Sequence, residues 1–253
     1  MRKRISSAVL VLGLLAMVLF LVNGCAKAQK DNTGATRQQD SVQVTTREEK
    51  SEGKELKVEM KIPVISGMTD ANIQSQLNAA FESSAMEAKK TIGDQVSEYV
   101  ENASAGGYPV HQFQLISNCT VSQNKNGVLS ITTETYQYTG GAHGMTVRKS
   151  YNSDLGSGQE ITLKDLFKEG VNYKEIVNQE IHKQIATEPN KYFSADDMKF
   201  KTISDRQSFY IEGGDIVVHF SLYEIAPYAA GIPAFKIPLS LFGESVKTEF
   251  LRL

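Results

Sequence analysis

The sequence predicts an α+β fold in which a mainly antiparallel sheet is covered by a long N-terminal helix, a middle helix and a C-terminal helix. Several segments alternate apolar and polar residues with a period of two, which is typical of half-buried strands. Three other segments repeat apolar residues every three or four positions, as amphipathic helices do. Strands and helices do not alternate regularly along the chain, so we expect an α+β rather than an α/β arrangement.

The first predicted elements are a strand at residues 55–64 and a long helix. The strand places every second, apolar side chain on one face: Leu56, Val58, Met60 and Ile62. Thr69 or Asp70 can cap the start of the helix, and Gly106 and Gly107 mark its end. Its apolar stripe faces a core and consists of Ile73, Leu77, Phe81, Ala85, Ala88, Ile92, Val96 and Tyr99.

A β-meander and a second helix are predicted next. The meander has strands at residues 112–122, 128–138 and 145–151. Asn172 and Glu175 have the spacing of a capping box at the start of the middle helix. Residues 208–222 predict a hairpin through two glycines, 235–237 a short strand, and 239–253 a closing amphipathic helix.

The N-terminal residues have the pattern of a secretory leader. A basic start at residues 2–4 precedes an apolar run at residues 8–22, and Gly24 and Cys25 follow at once. The run is shorter than the roughly twenty residues that span a bilayer. Cysteine at the cleavage point resembles the bacterial lipoprotein signal, in which the thiol is acylated before the leader is removed. We therefore predict a lipid on Cys25 that anchors the chain at the extracytoplasmic face of the cell membrane. The alternative is an uncleaved signal-anchor helix with Cys25 incidental.

Composition divides the chain into four parts. Residues 1–24 form the lipoprotein signal peptide, and the polar residues 25–53 are predicted to be a flexible tether. Residues 54–107 form a strand–helix region that packs with the domain at 108–253. Removal of the leader leaves 24 basic against 29 acidic residues. That mild acidity argues against a nucleic-acid partner.

Catalytic and metal-binding signatures are absent from the sequence. With Cys25 acylated, Cys119 is unpaired, and we expect it to be a small apolar filler rather than a nucleophile. Asp196 and Asp197 suggest either a metal site or a solvated turn, and no third ligand follows at a useful spacing. Three histidines are scattered along the chain, at positions 111, 182 and 219. Of these, His219 alternates outward from the apolar face of its strand. We expect no cofactor and no metal.

Two segments are distinctive: YQYTGGAHG at residues 136–144 and FSLYEIAPYAAG at 220–231, with ITLKDLF at 161–167 between them. In this order they resemble the RsiV-like extracytoplasmic domain family. Its members include bacterial lipoproteins, a lysozyme-binding anti-sigma factor and a domain ahead of a peptidoglycan deacetylase. The region before Tyr108 resembles the companion domain that often precedes it. The resemblance implies an α+β fold and protein binding, but neither anti-sigma signalling nor deacetylation is expected of this chain.

The candidate ligand-binding residues lie in these two segments: Tyr138, Gly140, Gly141, His143, Gly144, Tyr223, Glu224 and Tyr228. Exposed amides of a glycine loop could hold a carbonyl, a sugar hydroxyl or an anion, and His143 could donate or accept a hydrogen bond. The alternative is that both segments are purely structural, a bulged turn beside an arch whose tyrosines cap the core.

Two functions remain open on the sequence alone. The first is a non-catalytic binding module for an envelope protein, such as a lysozyme-like protein, or for peptidoglycan. The second is a hydrolase or transferase that modifies the cell wall with His143 and Glu224 as an acid–base pair.

Overall fold

The computed structural model describes residues 40–250, which form two β-sheets. The first sheet has five strands in the spatial order β1 (Gln43–Glu52), β2 (Leu56–Ser66), β3 (Phe113–Lys125), β4 (Val128–Tyr138) and β5 (Met145–Asp154). The second has three, β6 (Phe209–Glu212), β7 (Asp215–His219) and β8 (Ala234–Pro238). The predicted leader, Cys25 and the first part of the tether, up to residue 39, lie outside the described residues.

A long helix, α1 (Ala71–Gly106), packs on the first sheet as predicted. Its start is capped by Asp70, whose Oδ1 accepts hydrogen bonds from the backbone N–H groups of Asn72 (2.8 Å) and Ile73 (3.2 Å). Gly107 ends the helix in the left-handed region, with φ 67°. Leu77, Phe81 and Ile92 are buried against the sheet, and this burial is the main source of the helix's stability.

The first sheet is mixed rather than mainly antiparallel. β2 and β3 run parallel, and every other neighbouring pair in this sheet is antiparallel. Parallel neighbours require a long crossover connection, which α1 provides by returning the chain to the end of the sheet where β2 began. The sequence pattern indicated the helix but not the direction of the strand after it.

The flexible tether predicted for residues 25–53 is wrong at its C-terminal end. Residues 43–52 form β1, which pairs with β2 in a regular antiparallel register from Gln43↔Ser66 to Glu52↔Lys57. The segment is polar because β1 is an edge strand with mostly exposed side chains. Backbone pairing to β2, rather than burial of apolar side chains, orders it.

The second sheet packs with α2 (Tyr173–Thr187) around a separate apolar core. Val177 and Ile181 of the helix are fully buried there with Ile216, Val218 and Ile237 of the sheet. The capping box predicted at the start of α2 is not formed: the Asn172 side-chain amide donates to the Glu175 carboxylate instead of either side chain capping the backbone. Short 3₁₀ turns connect the remaining elements of this half.

The predicted C-terminal α-helix is replaced by two 3₁₀ segments, Leu239–Ser245 and Thr248–Phe250. Gly243 has φ 52° and ψ −128° and interrupts the first of them. The apolar residues that suggested a helical stripe still reach the core, since Phe242, Val246 and Phe250 are buried. Apolar spacing alone therefore predicted the burial of these side chains but not the helix type.

A polar seam joins the two sheets. We define it by Ser130, Ser150, Asn152 and His219. The hydroxyl of Ser130 accepts from the backbone N–H of Ile211 (3.0 Å) and donates to Asn152 Oδ1 (2.6 Å). Asn152 Nδ2 donates to the carbonyl of Phe209 (2.8 Å). Side chains of the first sheet thus satisfy the outer backbone groups of β6, which is an edge strand of the second sheet.

The domain boundary predicted from the sequence divides the folded part of the chain between residues 107 and 108. The strands of residues 108–154 nevertheless belong to the same sheet as β1 and β2. The change from the first sheet to the second falls between Asp154 and Phe209. Neither α-helix within residues 40–250 contains an apolar run that could cross a membrane.

Candidate functional site

The glycine loop between β4 and β5 is shaped by close packing at two of its glycines. Gly140 has φ 100°, and a side chain there would collide with the ring of His111. Gly144 is buried, and a side chain there would collide with the Gln137 carbonyl and the Tyr136 ring. Gly141 has φ 93° but open space around it. The loop therefore follows a path that larger residues could not take.

His111 holds this loop in place, a role that the sequence analysis missed. Its Nε2 lies 3.3 Å from the Thr139 carbonyl, and its Nδ1 lies 2.8 Å from the Tyr99 hydroxyl. A carbonyl only accepts, so in the neutral ring Nε2 carries the proton and Nδ1 accepts from the Tyr99 hydroxyl. Tyr138 adds a second tie, since its hydroxyl donates to the Gly141 carbonyl (3.1 Å). The loop is thus anchored from both sides.

The second motif forms an exposed arch after β7. Tyr223 has φ 66°, an unusual conformation for an aromatic residue, and its side chain is 47% exposed. The turn is fixed by the carboxylate of Glu224, which accepts from the backbone N–H of Ser221 (2.7 Å). Tyr228 begins a short 3₁₀ turn that ends at Gly231, with φ 72°. Ile225 and Ala226 are buried and attach the arch to the core.

The two motifs meet in space. The rings of His143 and Tyr228 are stacked, with centroids 3.9 Å apart and planes inclined by 18°. The ring of Tyr223 lies 5.9 Å from that of Tyr228. We call these three side chains the ring surface. His143 and Tyr223 are exposed and Tyr228 is half-buried. Aromatic rings at a surface suit the apolar side of a sugar ring or the side chains of a partner protein.

One hydrogen bond determines which ring nitrogen of His143 is available to a ligand. Its Nδ1 lies 3.0 Å from the Gly144 carbonyl, so in the neutral ring Nδ1 carries the proton. Nε2 then keeps its lone pair for a donor on a ligand. Within residues 40–250 no hydrogen bond links His143 to Glu224, whose carboxylate is bound to its own turn. Hydrogen bonding and polar recognition are the chemistry that this arrangement offers.

A cleft of about 210 Å³ lies beside the ring surface. Met145–Arg148, Arg206 and Glu224 line it, together with His219. His219 is only 3% exposed, which contradicts the prediction that it alternates outward to solvent. The outward face of β7 is covered by the first sheet, and Ser150 Oγ lies 2.7 Å from His219 Nε2. Burial, and to a lesser extent the charge of Arg148, lowers the pKa of His219 to about 4, so its ring is neutral at pH 7.

Cys119 lies on β3, half-buried and unpaired. Burial raises the pKa of its thiol, so it remains protonated and serves in packing.

The carboxylate of Asp196 forms an ion pair with Lys199 at 2.5 Å. In the described part of the chain no three histidine, cysteine or acidic side chains are close enough together to hold a metal ion.

The chain contains two known domains. Residues 49–146 match the family described as Deacetylase PdaC, and residues 164–240 match the family described as Protein of unknown function (DUF3298). The first match covers β2, α1 and most of the five-stranded sheet, and the second covers α2 and the three-stranded sheet. The RsiV-like resemblance is thereby confirmed. The glycine loop falls in the first domain and the arch in the second, so the ring surface lies between them.

Two proteins of Bacillus subtilis (strain 168) are homologous to this chain. The anti-sigma-V factor RsiV is 24% identical over 216 residues, which are 77% of this chain and 67% of RsiV. The peptidoglycan-N-acetylmuramic acid deacetylase PdaC is 29% identical over 121 residues, which are 46% of this chain and 26% of that enzyme. The chain thus spans only about a quarter of the deacetylase.

Two solved structures share the fold. A DUF3298 family member from Bacteroides fragilis has a TM-score of 0.64 at 17% identity, covering 84% of this chain and 96% of that one. A DUF3298 family protein from Pseudomonas aeruginosa has a TM-score of 0.59 at 19% identity, covering 84% and 97%. The α+β fold class is therefore confirmed.

Proposed function

We propose that this protein is a membrane-anchored extracytoplasmic lipoprotein that acts as a non-catalytic binding module. The lipid on Cys25 would hold it at the cell membrane, and the segment before β1 would let the folded part reach its partner. The partner is an envelope protein of the lysozyme type or a cell-wall glycan. The ring surface is the contact site.

The observation that carries the proposal is the stacking of His143 on Tyr228. A loop and an arch far apart in the sequence both place aromatic rings at the surface, where three adjacent rings give a rigid contact area at low entropic cost. The conformation of Tyr223 adds to this argument, because a strained backbone that keeps a large side chain exposed is a feature of functional sites.

The homologies support the same class of function. RsiV is named as an anti-sigma factor and PdaC as a deacetylase, so these domains accompany different activities in different chains. A shared binding step explains that distribution better than a shared reaction does. The RsiV-like resemblance points to lysozyme as the protein to test first.

Retention of the full chain on purified cell wall and on immobilised lysozyme tests the proposal. His143→Ala and Tyr228→Ala should each reduce retention at least tenfold, because either change removes half of the ring stack. Leu241→Ala is the matched control, since Leu241 is 49% exposed but lies outside the ring surface. Failure of wild type to bind either partner, or equal binding by all variants, would contradict the proposal.

A further inference from the structure

The outer edge of β5 is open over its first seven residues. Within residues 40–250, β5 pairs with β4 and, at Ser153, forms an isolated bridge with Glu160. Near that bridge the carbonyl of Asn152 accepts from the N–H of Ile161 (2.8 Å), and the N–H of Asp154 donates to the carbonyl of Gln159 (3.0 Å). The covered part of the edge therefore begins at Asn152, and residues 145–151 have no neighbouring strand on that side.

The register of β5 identifies which backbone groups are unpaired. Its pairing with β4 is regular from Val128↔Asp154 to Gln137↔Met145. Alternate residues of a strand direct their N–H and C=O groups to the same edge. Since Asn152 and Asp154 direct theirs outward, so do Thr146, Arg148 and Ser150. These three residues offer donors and acceptors at the spacing that an added strand requires.

A groove follows this open edge, and we call it the edge groove. It consists of two clefts of about 210 and 430 Å³ that share Arg148 and Ser208. Residues 145–148 line the first cleft and residues 148–153 the second, so both follow consecutive residues of β5. The open part of the edge, residues 145–151, is roughly 23 Å long at about 3.3 Å per residue. The edge groove therefore matches an extended peptide of about seven residues better than a compact ligand.

The other edge of the same sheet is built differently. The β1 edge carries Arg47, Glu49 and Lys50, which form ion pairs with neighbouring side chains. Charged edges of this kind discourage pairing with another chain. Two of the first three residues of β5 are instead apolar and exposed, Met145 at 41% and Val147 at 52%. The contrast indicates that β1 is protected from pairing whereas β5 is available for it.

Charge in the edge groove specifies the incoming segment further. Arg206 is exposed in the first cleft and makes no hydrogen bond or ion pair within residues 40–250. The guanidinium of Arg148 is paired with Glu134, and the carboxylate of Glu224 accepts from Ser221. Among the charged side chains that line this cleft, Arg206 is therefore the one without a hydrogen-bond or ion-pair partner within residues 40–250. An acidic side chain would complement it.

We infer that β5 accepts an extended segment of a partner protein as a sixth strand, with an acidic side chain of that segment bound to Arg206. The backbone groups of Thr146, Arg148 and Ser150 supply the pairing, and Met145 and Val147 supply apolar contact. This edge site lies next to the ring surface but is a separate site. Its test uses different variants, so failure of one site is distinguishable from failure of the other.

Selection of a random nine-residue peptide library on the full chain, followed by synthesis of the selected peptides, tests the inference. Thr146→Pro removes an outward N–H that β4 does not use, and Thr146→Val keeps that N–H with a similar side-chain shape. The selected peptides should bind wild type and Thr146→Val equally and Thr146→Pro at least tenfold more weakly. Arg206→Glu should weaken binding by about tenfold without affecting the fold, because Arg206 has no partner to lose.

Hydrogen exchange locates the binding. Amides of Thr146, Arg148 and Ser150 should exchange more slowly when a selected peptide is bound, since each donates to it. An empty selection, or peptides that bind Thr146→Pro and Arg206→Glu as well as wild type, would overturn the inference. So would dimerisation of the wild type that Thr146→Pro abolishes, because the edge would then serve a second copy of this chain.

Discussion

The imidazole of His143 and the phenol ring of Tyr228 lie face to face, 3.9 Å apart between centroids. One ring belongs to the loop between β4 and β5, and the other to the arch that follows β7. Each of these segments is held by its own contacts, so neither depends on the ring stack for its conformation. A contact made in this way can be removed at either end without unfolding the protein, which makes it accessible to substitution.

Tyr223 allows stability and binding to be separated. Its φ of 66° costs an L-residue about 1 kcal/mol, and asparagine tolerates this conformation better. Tyr223→Asn should therefore raise the free energy of unfolding by about 0.5–1 kcal/mol while weakening binding to lysozyme or cell wall. Denaturant unfolding and retention assays check the two effects. A variant that loses both stability and binding would show that the tyrosine supports the fold rather than the contact.

The glycine loop should respond differently at two adjacent positions. Alanine at Gly141 meets open space and costs only the strain of a positive φ, about 1 kcal/mol. Alanine at Gly140 also collides with His111, which supports the loop through Thr139. Gly140→Ala should therefore destabilise the protein by about 2–4 kcal/mol. Thermal unfolding of both variants measures the difference, and equal losses would argue against the role assigned to His111.

His219 makes stability depend on pH. Its folded-state pKa of about 4 lies below the value of about 6.5 in the unfolded chain. As pH falls from 6.5 toward 4, the His219 imidazole therefore binds a proton in the unfolded state but stays neutral in the folded state. Up to about 3 kcal/mol of stability should be lost over that range and retained above it.

Denaturant unfolding at several pH values measures this dependence. His219→Gln should be less stable than wild type at pH 7, because the bond to Ser150 is altered, but its stability should fall less steeply between pH 6.5 and 4. His182→Gln, the same substitution at an exposed histidine, is the matched control. An unchanged slope in His219→Gln would contradict the burial argument.

Removal of a side chain from the polar seam should lower the stability of the protein. Asn152→Ala removes the donor to the Phe209 carbonyl and the acceptor for the proton of the Ser130 hydroxyl, at a cost of about 1–3 kcal/mol. Asn118→Ala, at an exposed position of β3 in the same sheet, is the control and should change stability by less than about 0.5 kcal/mol. Denaturant midpoints of the two variants report the difference. Similar midpoints would mean that water replaces the asparagine at the seam.

The strands and the long helix could be predicted because their patterns are local. Val128–Tyr138 was predicted with its observed bounds, and Asp70 caps α1 as expected. The order of strands in the sheets depends on contacts between distant segments, which periodicity does not report. For that reason the parallel pairing of β2 with β3 was missed. β1 was missed because an exposed edge strand needs few apolar residues.

The candidate site was predictable in its members but not in its arrangement. Glycine-rich and tyrosine-rich segments identified His143, Tyr223 and Tyr228, and only the fold brings them together. The role of His111 depends on the space left by Gly140, which no spacing in the sequence reveals. His219 was misplaced because the alternation of a strand does not tell whether its second face meets water or another sheet.

Titration calorimetry of the full chain with lysozyme and with solubilised peptidoglycan tests the ring surface most directly. Wild type and Leu241→Ala should bind one of these partners with the same affinity, and Tyr228→Ala should bind it at least tenfold more weakly. Tyr228→Phe keeps the ring and should retain most of the affinity. Equal affinity of Tyr228→Ala and wild type for that partner would show that the ring surface is not the contact site.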